Sequence, residues 1–245
     1  MTKLSVNVNK VAWLRNSREG DTPSVSTFAE IALEAGADGI TVHPRPDERH
    51  IRASDVEVLH SVLQKPRWAD REFNIEGNPK EGAFMEHCRR VRPDQCTLVP
   101  DTVGQLTSDH GWDVARHVDF LKDTVAELQG LGCRVSLFID PVPEAIEAVP
   151  LTGADRVELY TEAYAKAFGG PAETATWQQF ADTAARARSF GLGLNAGHDL
   201  NQTNLPRFLE IPEILEVSIG HALTADALHV GYAQAVQDYL RAMGR

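Results

Sequence analysis

The stretch "LNAGHDLN", residues 194–201, raises the question that decides the fold. A short apolar run typical of a buried strand ends there in a small tripeptide, Asn-Ala-Gly, which is followed directly by His198. Two further runs end in the same way, because "EVSIGHALT" ends its apolar run at His221 and "GITVHPRP" ends at His43. Three strand-like runs that each end in a histidine require one structural explanation.

Strand-like runs rich in Val, Ile and Leu recur eight times along the chain. They are Leu4–Val8, Gly39–Val42, Glu72–Ile75, Cys96–Val99, Arg134–Ile139, Arg156–Tyr160, Gly191–Leu194 and Glu216–Ile219. Segments with the apolar spacing of amphipathic helices lie between them. Eight strand–helix alternations over 245 residues match an α/β fold of the (β/α)8 TIM-barrel type. Because no linker-like tract divides the chain, residues 1–245 are predicted to form a single TIM-barrel domain.

Local signals mark the ends of the predicted helices. The helix after the first run is predicted to begin after Ser26 as N-cap and to close at Gly36 as C-cap. The next is predicted to begin at Ser54, because Glu57 follows three residues later in a capping-box pattern. A doubly wound open sheet is the alternative fold. That fold is disfavoured because this sequence has no Gly-rich phosphate-binding motif after its first strand.

Composition restricts the classes of function. The net charge of −11 argues against nucleic acid or an anionic membrane as the main partner. The cysteines Cys88, Cys96 and Cys133 have neither metal-ligand spacing nor disulfide density, so they are interpreted as buried free thiols in a reducing compartment. The first residues are too polar for a signal peptide, and no apolar stretch is long enough to span a bilayer. We therefore expect a cytoplasmic protein.

In a TIM barrel the active site lies at the carboxyl ends of the strands. The polar residues and glycines at those predicted ends, with one proline, are Asn7, Asn9, Lys10, His43, Arg45, Glu76, Pro100, Asp101, Asp140, Glu158, Thr161, His198, Gly220 and His221. The set is rich in acid and base groups, and no Ser or Cys lies in a nucleophile-elbow pattern. Gly197 and Gly220 are predicted to leave backbone N–H groups open to an anion. The set is suited to proton transfer on a polar substrate.

Two other chemistries fit parts of this set. His43, His198, His221 and Glu76 offer ligand types that bind a metal in barrel metallohydrolases, although the first strand carries no H-x-H pattern. Lys10, near a strand end, is of the type that forms a Schiff base with a carbonyl substrate, or contacts a phosphate as a cation.

Two basic segments support anion binding. They are "LRNSR", which contains Arg15 and Arg18, and "HPRPDERHIR", whose basic residues are Arg45, Arg49, His50 and Arg52. A solvated charged loop is the alternative reading of the second segment, because it mixes acids with bases. Its position directly after a strand favours a substrate loop.

Seven motifs, in order along nearly the whole chain, resemble the pyridoxine 5′-phosphate synthases, the ring-closing enzymes of the deoxyxylulose-dependent route to vitamin B6. The motifs are "VNVNKVAWLRNSR", "ADGITVHPRPDERHI", "FNIEG", "LVPD", "VSLFID", "LNAGHDLN" and "IGHAL". The resemblance implies a (β/α)8 barrel with extra short helices that assembles into a homo-octamer. It implies condensation of 1-deoxy-D-xylulose 5-phosphate with 3-amino-1-hydroxyacetone 1-phosphate to pyridoxine 5′-phosphate, inorganic phosphate and water, with no metal or organic cofactor.

The resemblance also implies roles for individual residues. His43, Glu76 and His198 would be the catalytic acid/base residues. The substrate-binding residues would be Asn7 and Arg18 for the aminoacetone phosphate, Arg45, His50 and Thr107 for the deoxyxylulose phosphate, and Asp199, Gly220 and His221 for a substrate or product phosphate. A phosphosugar aldolase or isomerase that uses Lys10, and a non-catalytic sugar-phosphate-binding barrel, are the alternative functions.

The chain departs from the family's commoner pattern at three places. Asn9-Lys10 stands where many members have Asp-His, so that Lys10 would supply a cation to the substrate in place of histidine. Asp199 replaces the usual Gly after "NAGH". On the sixth strand, "ELYTEAY" replaces a His-Thr-Gly pattern and introduces Tyr160 and Glu162.

Overall fold

Eight parallel strands close into a barrel in which each strand is hydrogen-bonded to its neighbours in chain order, as a computed structural model of residues 1–105 and 107–245 shows. The strands are β1 Lys3–Asn7, β2 Gly39–Val42, β3 Glu72–Gly77, β4 Gln95–Leu98, β5 Arg134–Ile139, β6 Arg156–Tyr160, β7 Gly193–Gly197 and β8 Ile214–Ile219. The predicted TIM barrel is confirmed.

Helices surround the barrel and connect its strands. They are α1 Asn9–Asn16, α2 Val25–Glu34, α3 Ala53–Leu63, α4 Phe84–Val91, α5 Val114–Gly130, α6 Pro143–Ile146, α7 Glu162–Ala167, α8 Glu173–Ser189, α9 Leu205–Phe208, α10 His221–Val230 and α11 Tyr232–Ala242. Two short 3-10 helices, Pro66–Trp68 and Val149–Thr152, lie before β3 and β6. The main core lies between the outer face of the barrel and the apolar faces of these helices.

The seventh strand differs from its prediction in a way that bears on the site. The prediction ended the strand at Leu194, but β7 runs on through Gly197. Its neighbour explains the difference, because β6 pairs with it in parallel as far as Tyr160 opposite Gly197. The Asn-Ala-Gly tripeptide is therefore buried strand that ends directly at His198, and it is not a flexible connection.

Two predicted helix starts were wrong by one to two residues. Ser24, and not Ser26, caps α2, since its hydroxyl accepts the backbone N–H of Thr27 at 3.3 Å. Helix α3 begins before Ser54, where Asp55 accepts the backbone N–H of Arg52 at 2.8 Å. In both cases a nearby acceptor satisfies an N–H group that the helix itself leaves unpaired.

Aspartates just before three strands tie neighbouring strands together at the amino-terminal end of the barrel. The carboxylate of Asp38 accepts the N–H of Leu4 at 2.8 Å, and that of Asp155 accepts the N–H of Val135 at 2.7 Å. Asp94 accepts from Phe73 in the same way at 2.8 Å. The tripeptide Gly-Ala-Asp occurs before both β2 and β6, at residues 36–38 and 153–155, and each time its aspartate supplies a carboxylate to the preceding strand.

The interior of the barrel is polar below the site, where branched apolar side chains are usual. Ser5 and Thr41 share a hydrogen bond of 2.6 Å, and Asn74 donates to Thr41 at 3.3 Å. Thr97 donates in turn to Asn74 at 3.2 Å. Because side chains two residues apart share one face of a strand, the cavity residues that follow on these strands point into the same interior.

Replacing Asp155 by alanine should destabilise the barrel without disabling the site. The variant leaves the N–H of Val135 without its carboxylate, which costs about 1–3 kcal/mol for a buried donor. Thermal unfolding should show a drop in Tm of several degrees. Asp182→Ala, on the exposed face of α8, is the matched control and should change the free energy of unfolding by less than about 0.5 kcal/mol. Equal stability of the two variants would contradict the strand-tying role.

Candidate active site

A cavity of about 340 Å³ lies at the carboxyl end of the strands. Its lining comprises Asn7, Asn9, Lys10, Trp13, His43, Arg45, His50, Glu76, Thr107, Ser108, Glu158, His198, Asp199, Leu200, Ser218, Ile219, Gly220, His221 and Ala222. The three histidines that end strand-like runs therefore meet in one place, as the barrel predicts.

His43 and Glu76 form the closest acid/base pair in the cavity. Nδ1 of His43 lies 3.9 Å from Oε2 of Glu76, and both side chains are buried. The side chains of the β1 end hold this pair. The amide of Asn7 approaches the same Glu76 oxygen at 3.4 Å, and Oδ1 of Asn9 accepts the backbone N–H of His43 at 3.0 Å. Asn9 thus supports His43 in addition to lining the cavity.

Two carboxyl groups share the interior of the barrel mouth. Burial raises the pKa of Glu76 to about 8, with a further contribution from the nearby Asp101 carboxylate. Burial and the neighbouring Glu76 raise the pKa of Glu158 well above its ordinary value. Oε2 of Glu158 has no hydrogen-bond partner within the part of the chain that the structure describes. Both groups are therefore potential proton donors, and with a pKa of about 8 Glu76 holds its proton at neutral pH.

The pKa values of the cavity imidazoles are shifted in the opposite direction, downward. Burial, followed by the positive charge of Arg45, lowers the pKa of His198 to about 4 and that of His50 to about 3. The same two causes hold the pKa of His43 well below its usual range. All three rings are therefore neutral at neutral pH, so that each has one nitrogen able to accept a proton.

The hydrogen bonds of His50 fix its tautomer. Its Nδ1 accepts the backbone N–H of Ile51 at 2.9 Å, so the neutral ring carries its proton on Nε2 and can act as a donor there. Arg45 lies beside it and is bound to the loop after β4. It pairs with the buried Asp101 and donates to the carbonyl of Gln105 at 3.1 Å. A ligand that takes up the guanidinium of Arg45 must share it with this loop.

The glycine before His198 answers the question raised by the sequence. A Cβ atom at Gly197 would lie 2.4 Å from Oε1 of Glu158. A side chain at this position would have to displace the buried carboxyl group of Glu158, and Gly197 itself does not line the cavity. His198 and Asp199 then adopt left-handed backbone conformations, with φ of 76° and 56°. This turn carries the imidazole to the cavity.

The N-terminus of α10 and the start of α1 lie next to each other on the rim of the cavity. Gly220 and His221 open α10, and both line the cavity, which brings the first N–H groups of this helix to it. Lys10 and Trp13, one turn apart on α1, also line it, and the ammonium lies 4.7 Å from the centroid of the indole ring. The rim therefore combines a helix N-terminus with a fixed cation.

Four residues of the predicted strand-end set do not line this cavity, namely Pro100, Asp101, Asp140 and Thr161. Of the residues given catalytic or substrate-binding roles, all but one line it. Arg18 is the exception: it is exposed just beyond the end of α1. Arg15 of the same basic segment is buried instead, and forms a two-point ion pair with Asp55 at 2.5 and 2.9 Å. Arg49 and Arg52 pair with aspartates near their own loop. Within the second segment Asp47 thus serves an ion pair with Arg49, whereas Arg15 and Arg52 are paired by aspartates from outside these segments.

Several cavity residues had received no predicted role, among them Trp13, Ser218 and Glu158. Trp13 follows Lys10 by three residues, and this spacing places both on one helix face. Ser218 lies on β8 just before the turn at Gly220, and strand alternation places it on the same face as Glu216. Glu158 had been placed at a strand end but given no task. Helical and strand periodicity could have found the first two, whereas the contact between Glu158 and Gly197 requires three-dimensional structure.

Across residues 1–105 and 107–245, no group of three or more His, Cys, Asp and Glu side chains has an arrangement that could hold a metal ion. No helix in the same ranges combines the length and the apolar character needed to cross a bilayer. The three cysteines are unpaired and buried, as predicted.

The barrel, with paired acid and base groups at its carboxyl-terminal face, has the architecture of a TIM-barrel enzyme. Among solved structures, it is similar to a 3-hexulose-6-phosphate synthase, with a TM-score of 0.63 and 15% identity over 98% of this chain and 99% of that one. It is also similar to a mutant tryptophan synthase α-subunit from Pyrococcus furiosus, with a TM-score of 0.62 and 13% identity over 100% of each chain. At these identities the similarity shows the fold.

The chain belongs to the family described as pyridoxal phosphate biosynthesis protein PdxJ, whose model matches residues 4–245. It is 51% identical to the pyridoxine 5′-phosphate synthase of Albidiferax ferrireducens, over 100% of this chain and 98% of that protein. It is 53% identical to the pyridoxine 5′-phosphate synthase of Xanthomonas campestris pv. campestris, over 98% of this chain and 95% of that protein. The resemblance seen in the motifs is confirmed, and the protein is an enzyme.

The shifted pKa of Glu76 predicts how stability depends on pH. Because the folded-state pKa of about 8 lies above the ordinary 4.5, ionised Glu76 is disfavoured in the folded protein. Its contribution to stability is complete below about pH 4.5 and is lost as the pH rises through about 8. Glu76→Gln cannot ionise, so its Tm should gain on the wild type as the pH rises from about 5 to about 8.5, by roughly 2 °C or more.

The control for this titration is Glu144→Gln on the exposed face of α6, whose Tm should follow that of the wild type at every pH. A constant difference in Tm between Glu76→Gln and the wild type across this range would show that Glu76 ionises normally in the folded protein.

Proposed function

We propose that the protein is a pyridoxine 5′-phosphate synthase that condenses 1-deoxy-D-xylulose 5-phosphate with 3-amino-1-hydroxyacetone 1-phosphate. The products are pyridoxine 5′-phosphate, inorganic phosphate and water. One observation carries the proposal: His43, Glu76 and His198 line a single cavity with complementary protonation, since the carboxyl group holds a proton and the imidazoles do not. The names of the full-length relatives point to the same activity.

Two parts of the cavity suit the two phosphate groups. Arg45 and His50 offer a guanidinium and an Nε2–H donor on one side, and we assign the deoxyxylulose phosphate to them, with Thr107. The first N–H groups of α10, at Gly220 and His221, form the kind of phosphate site that TIM barrels often place after their last strands. Asp199 lies beside it on the β7 loop.

We assign the aminoacetone phosphate to Asn7, together with Arg18. Asn7 already bonds to Glu76, which would bring the substrate amine close to the acid/base pair. Arg18 lies outside the cavity in the single chain, so this part of the assignment requires either a movement of the loop after α1 or a second chain.

The chemistry needs several proton transfers and no electron sink. The substrate amine attacks the ketone to give an imine and water, phosphate leaves, and an aldol-type closure and a further loss of water complete the ring. Protonated Glu76 can donate to a departing hydroxyl group, while neutral His43 and His198 can each accept a proton from carbon or nitrogen. Positioned transfers of this kind contribute about 10²–10⁴-fold each. The substrate supplies its own amine, so the reaction requires no lysine imine.

Lys10 supports a second candidate function, a phosphosugar aldolase or isomerase. Burial, followed by Arg45, lowers the pKa of its ammonium, and Asp199 opposes this shift. A lowered pKa is what a Schiff-base lysine requires. We nevertheless assign Lys10 as a fixed cation for the deoxyxylulose phosphate, because its ammonium is held over Trp13. A non-catalytic sugar-phosphate-binding barrel would need the phosphate contacts but not the Glu76–His43 pair.

We further propose that the chain forms a homo-oligomer in the cytoplasm, an octamer as its family resemblance implies. The support is an exposed apolar surface on neighbouring α1 and α10, where Leu14, Leu228 and Val230 lie in solvent in the single chain. Leu228 is 77% exposed, which is unusual for a leucine of a helix that has Leu223 as its buried anchor. Buried thiols agree with a reducing compartment.

The proposed activity is tested by supplying both phosphorylated substrates, in buffer that contains a chelator, and measuring pyridoxine 5′-phosphate. Wild-type protein should form it, and Glu76→Gln should lower turnover by roughly 100-fold or more at similar half-saturation concentrations. His43→Asn should act similarly, and the exposed Glu144→Gln is the control with unchanged turnover. If the wild type binds both substrates but makes no product, the binding-barrel alternative is correct.

The role of Lys10 is tested with one variant that keeps the positive charge and one that removes it at similar side-chain length. Lys10→Arg should retain much of the activity, whereas Lys10→Met should raise the half-saturation concentration for deoxyxylulose phosphate more than it lowers maximal turnover, because a fixed charge contributes to binding. Borohydride reduction of the working enzyme should leave Lys10 unmodified. Equal inactivity of the two variants, with a sugar-sized adduct on Lys10, would establish the Schiff-base function instead.

A further inference from the structure

A small apolar cluster interrupts the polar interior of the barrel mouth. Val99, Phe138 and Tyr160, from the ends of three neighbouring strands, pack together apart from the main hydrophobic core. The rings of Phe138 and Tyr160 have centroids 5.3 Å apart. Neither ring lines the cavity, so the cluster is not a substrate surface, and it adds little to a core that is already continuous around the barrel.

The imidazole of His198 rests against both rings of this cluster. Its centroid lies 5.2 Å from that of Phe138 and 5.4 Å from that of Tyr160, and its plane stands at 85° to the tyrosine ring. Separations and edge-on angles of this kind are the favourable ones for aromatic pairs. One side of the imidazole thus faces the cluster, and the other side faces the cavity.

The backbone beneath the imidazole is fixed independently. Thr161, the residue after Tyr160, donates its hydroxyl to the carbonyl of Gly197 at 2.6 Å and contacts that of His198. Asn204 donates to the carbonyl of Asp199 at 3.1 Å. These contacts hold two consecutive residues in the left-handed region, which costs free energy for side chains other than glycine.

The ring itself makes no hydrogen bond to any residue within 1–105 and 107–245. Histidines that transfer protons are usually oriented by a hydrogen bond from the second ring nitrogen to a carboxylate or a carbonyl group. His198 lacks such a partner in the described chain, so packing alone sets the plane of its ring. The charged groups that act on it are Arg45, Lys10 and Glu162.

We propose that Tyr160 and Phe138 are positioning residues for His198: the two rings fix the plane of the imidazole and exclude water from its inner side. Tyr160 is the part that can be tested, because Phe138 is fully buried in the barrel wall. This inference rests on the proposed proton-transfer role of His198. It assigns the function to the tyrosine ring and not to its hydroxyl group.

The test compares Tyr160→Phe, which keeps the ring, with Tyr160→Leu, which removes it. Tyr160→Phe should retain turnover within about threefold. Tyr160→Leu should lower kcat by roughly tenfold or more at half-saturation concentrations within about twofold for both substrates, since misorientation affects proton transfer and not phosphate binding. The acidic limb of its kcat–pH profile should move upward by about one pH unit, because water that reaches the imidazole relieves the burial that lowers its pKa.

Two controls separate positioning from stability. Phe180→Leu removes a fully buried ring on α8, and should lower Tm while leaving the pH profile in place. If Tyr160→Leu does not fold, Tyr160→Met supplies an apolar side chain that adapts to the same space, with the same expected loss of kcat and shift of the acidic limb. Circular dichroism and Tm verify that each variant is folded.

The following results would overturn either the positioning role of Tyr160 or the proposed proton-transfer role of His198. Normal kcat with an unshifted acidic limb in Tyr160→Leu, or equal damage in Tyr160→Phe, removes the positioning role of the ring. Normal turnover in His198→Asn would instead remove the proposed role of His198 itself. An inactive His198→Asn beside a normal Tyr160→Leu refutes positioning by Tyr160 alone and leaves the proposed function intact.

Discussion

Two carboxyl groups, Glu76 and Glu158, are buried together inside the mouth of the barrel, and this burial disfavours the ionised form of both. The nearest strong cation, Arg45, is already paired with Asp101. The burial of these groups therefore favours uncharged forms on both sides, namely protonated carboxyl groups and neutral imidazoles. That arrangement gives the cavity proton donors and proton acceptors at the same pH, which is what a sequence of dehydrations and tautomerisations requires.

The fold makes this arrangement possible by filling the lower barrel with polar side chains. Ser5, Thr41, Asn74 and Thr97 satisfy one another across four neighbouring strands, and each strand then carries its next inward residue into the cavity or to its edge. Gly197 is part of the same construction, because any side chain there would displace Glu158. The strand glycine and the buried carboxyl group thus constrain each other directly.

The sequence was sufficient for the barrel and for most of the cavity, for identifiable reasons. Apolar runs with turn signals predict strands, and the rule that parallel strands end at one face turned separate histidines into one site. The boundary of β7 was missed because Asn195-Ala196-Gly197 has little strand propensity of its own. Its pairing with β6 overrides that preference.

Other features depended on contacts between residues distant in the sequence. The task of Arg15, a buried ion pair with Asp55, could not be separated from phosphate binding, because both uses favour an arginine beside a loop. The packing of Tyr160 against His198 joins positions on two strands whose spacing in the sequence carries no signal. Arg18 was inferred from its basic segment and from the family resemblance, and a single chain leaves it outside the cavity.

Infrared difference spectroscopy of the wild type minus Glu76→Gln measures most directly whether the barrel mouth holds its acid protonated. At pH 7 the difference spectrum should contain the C=O stretch of a protonated carboxyl group. This band should give way to carboxylate bands as the pH rises through about 8. Carboxylate bands alone at pH 7, with no protonated band until the solution is strongly acidic, would show that Glu76 is ionised and would contradict the proposed division between proton donor and proton acceptors.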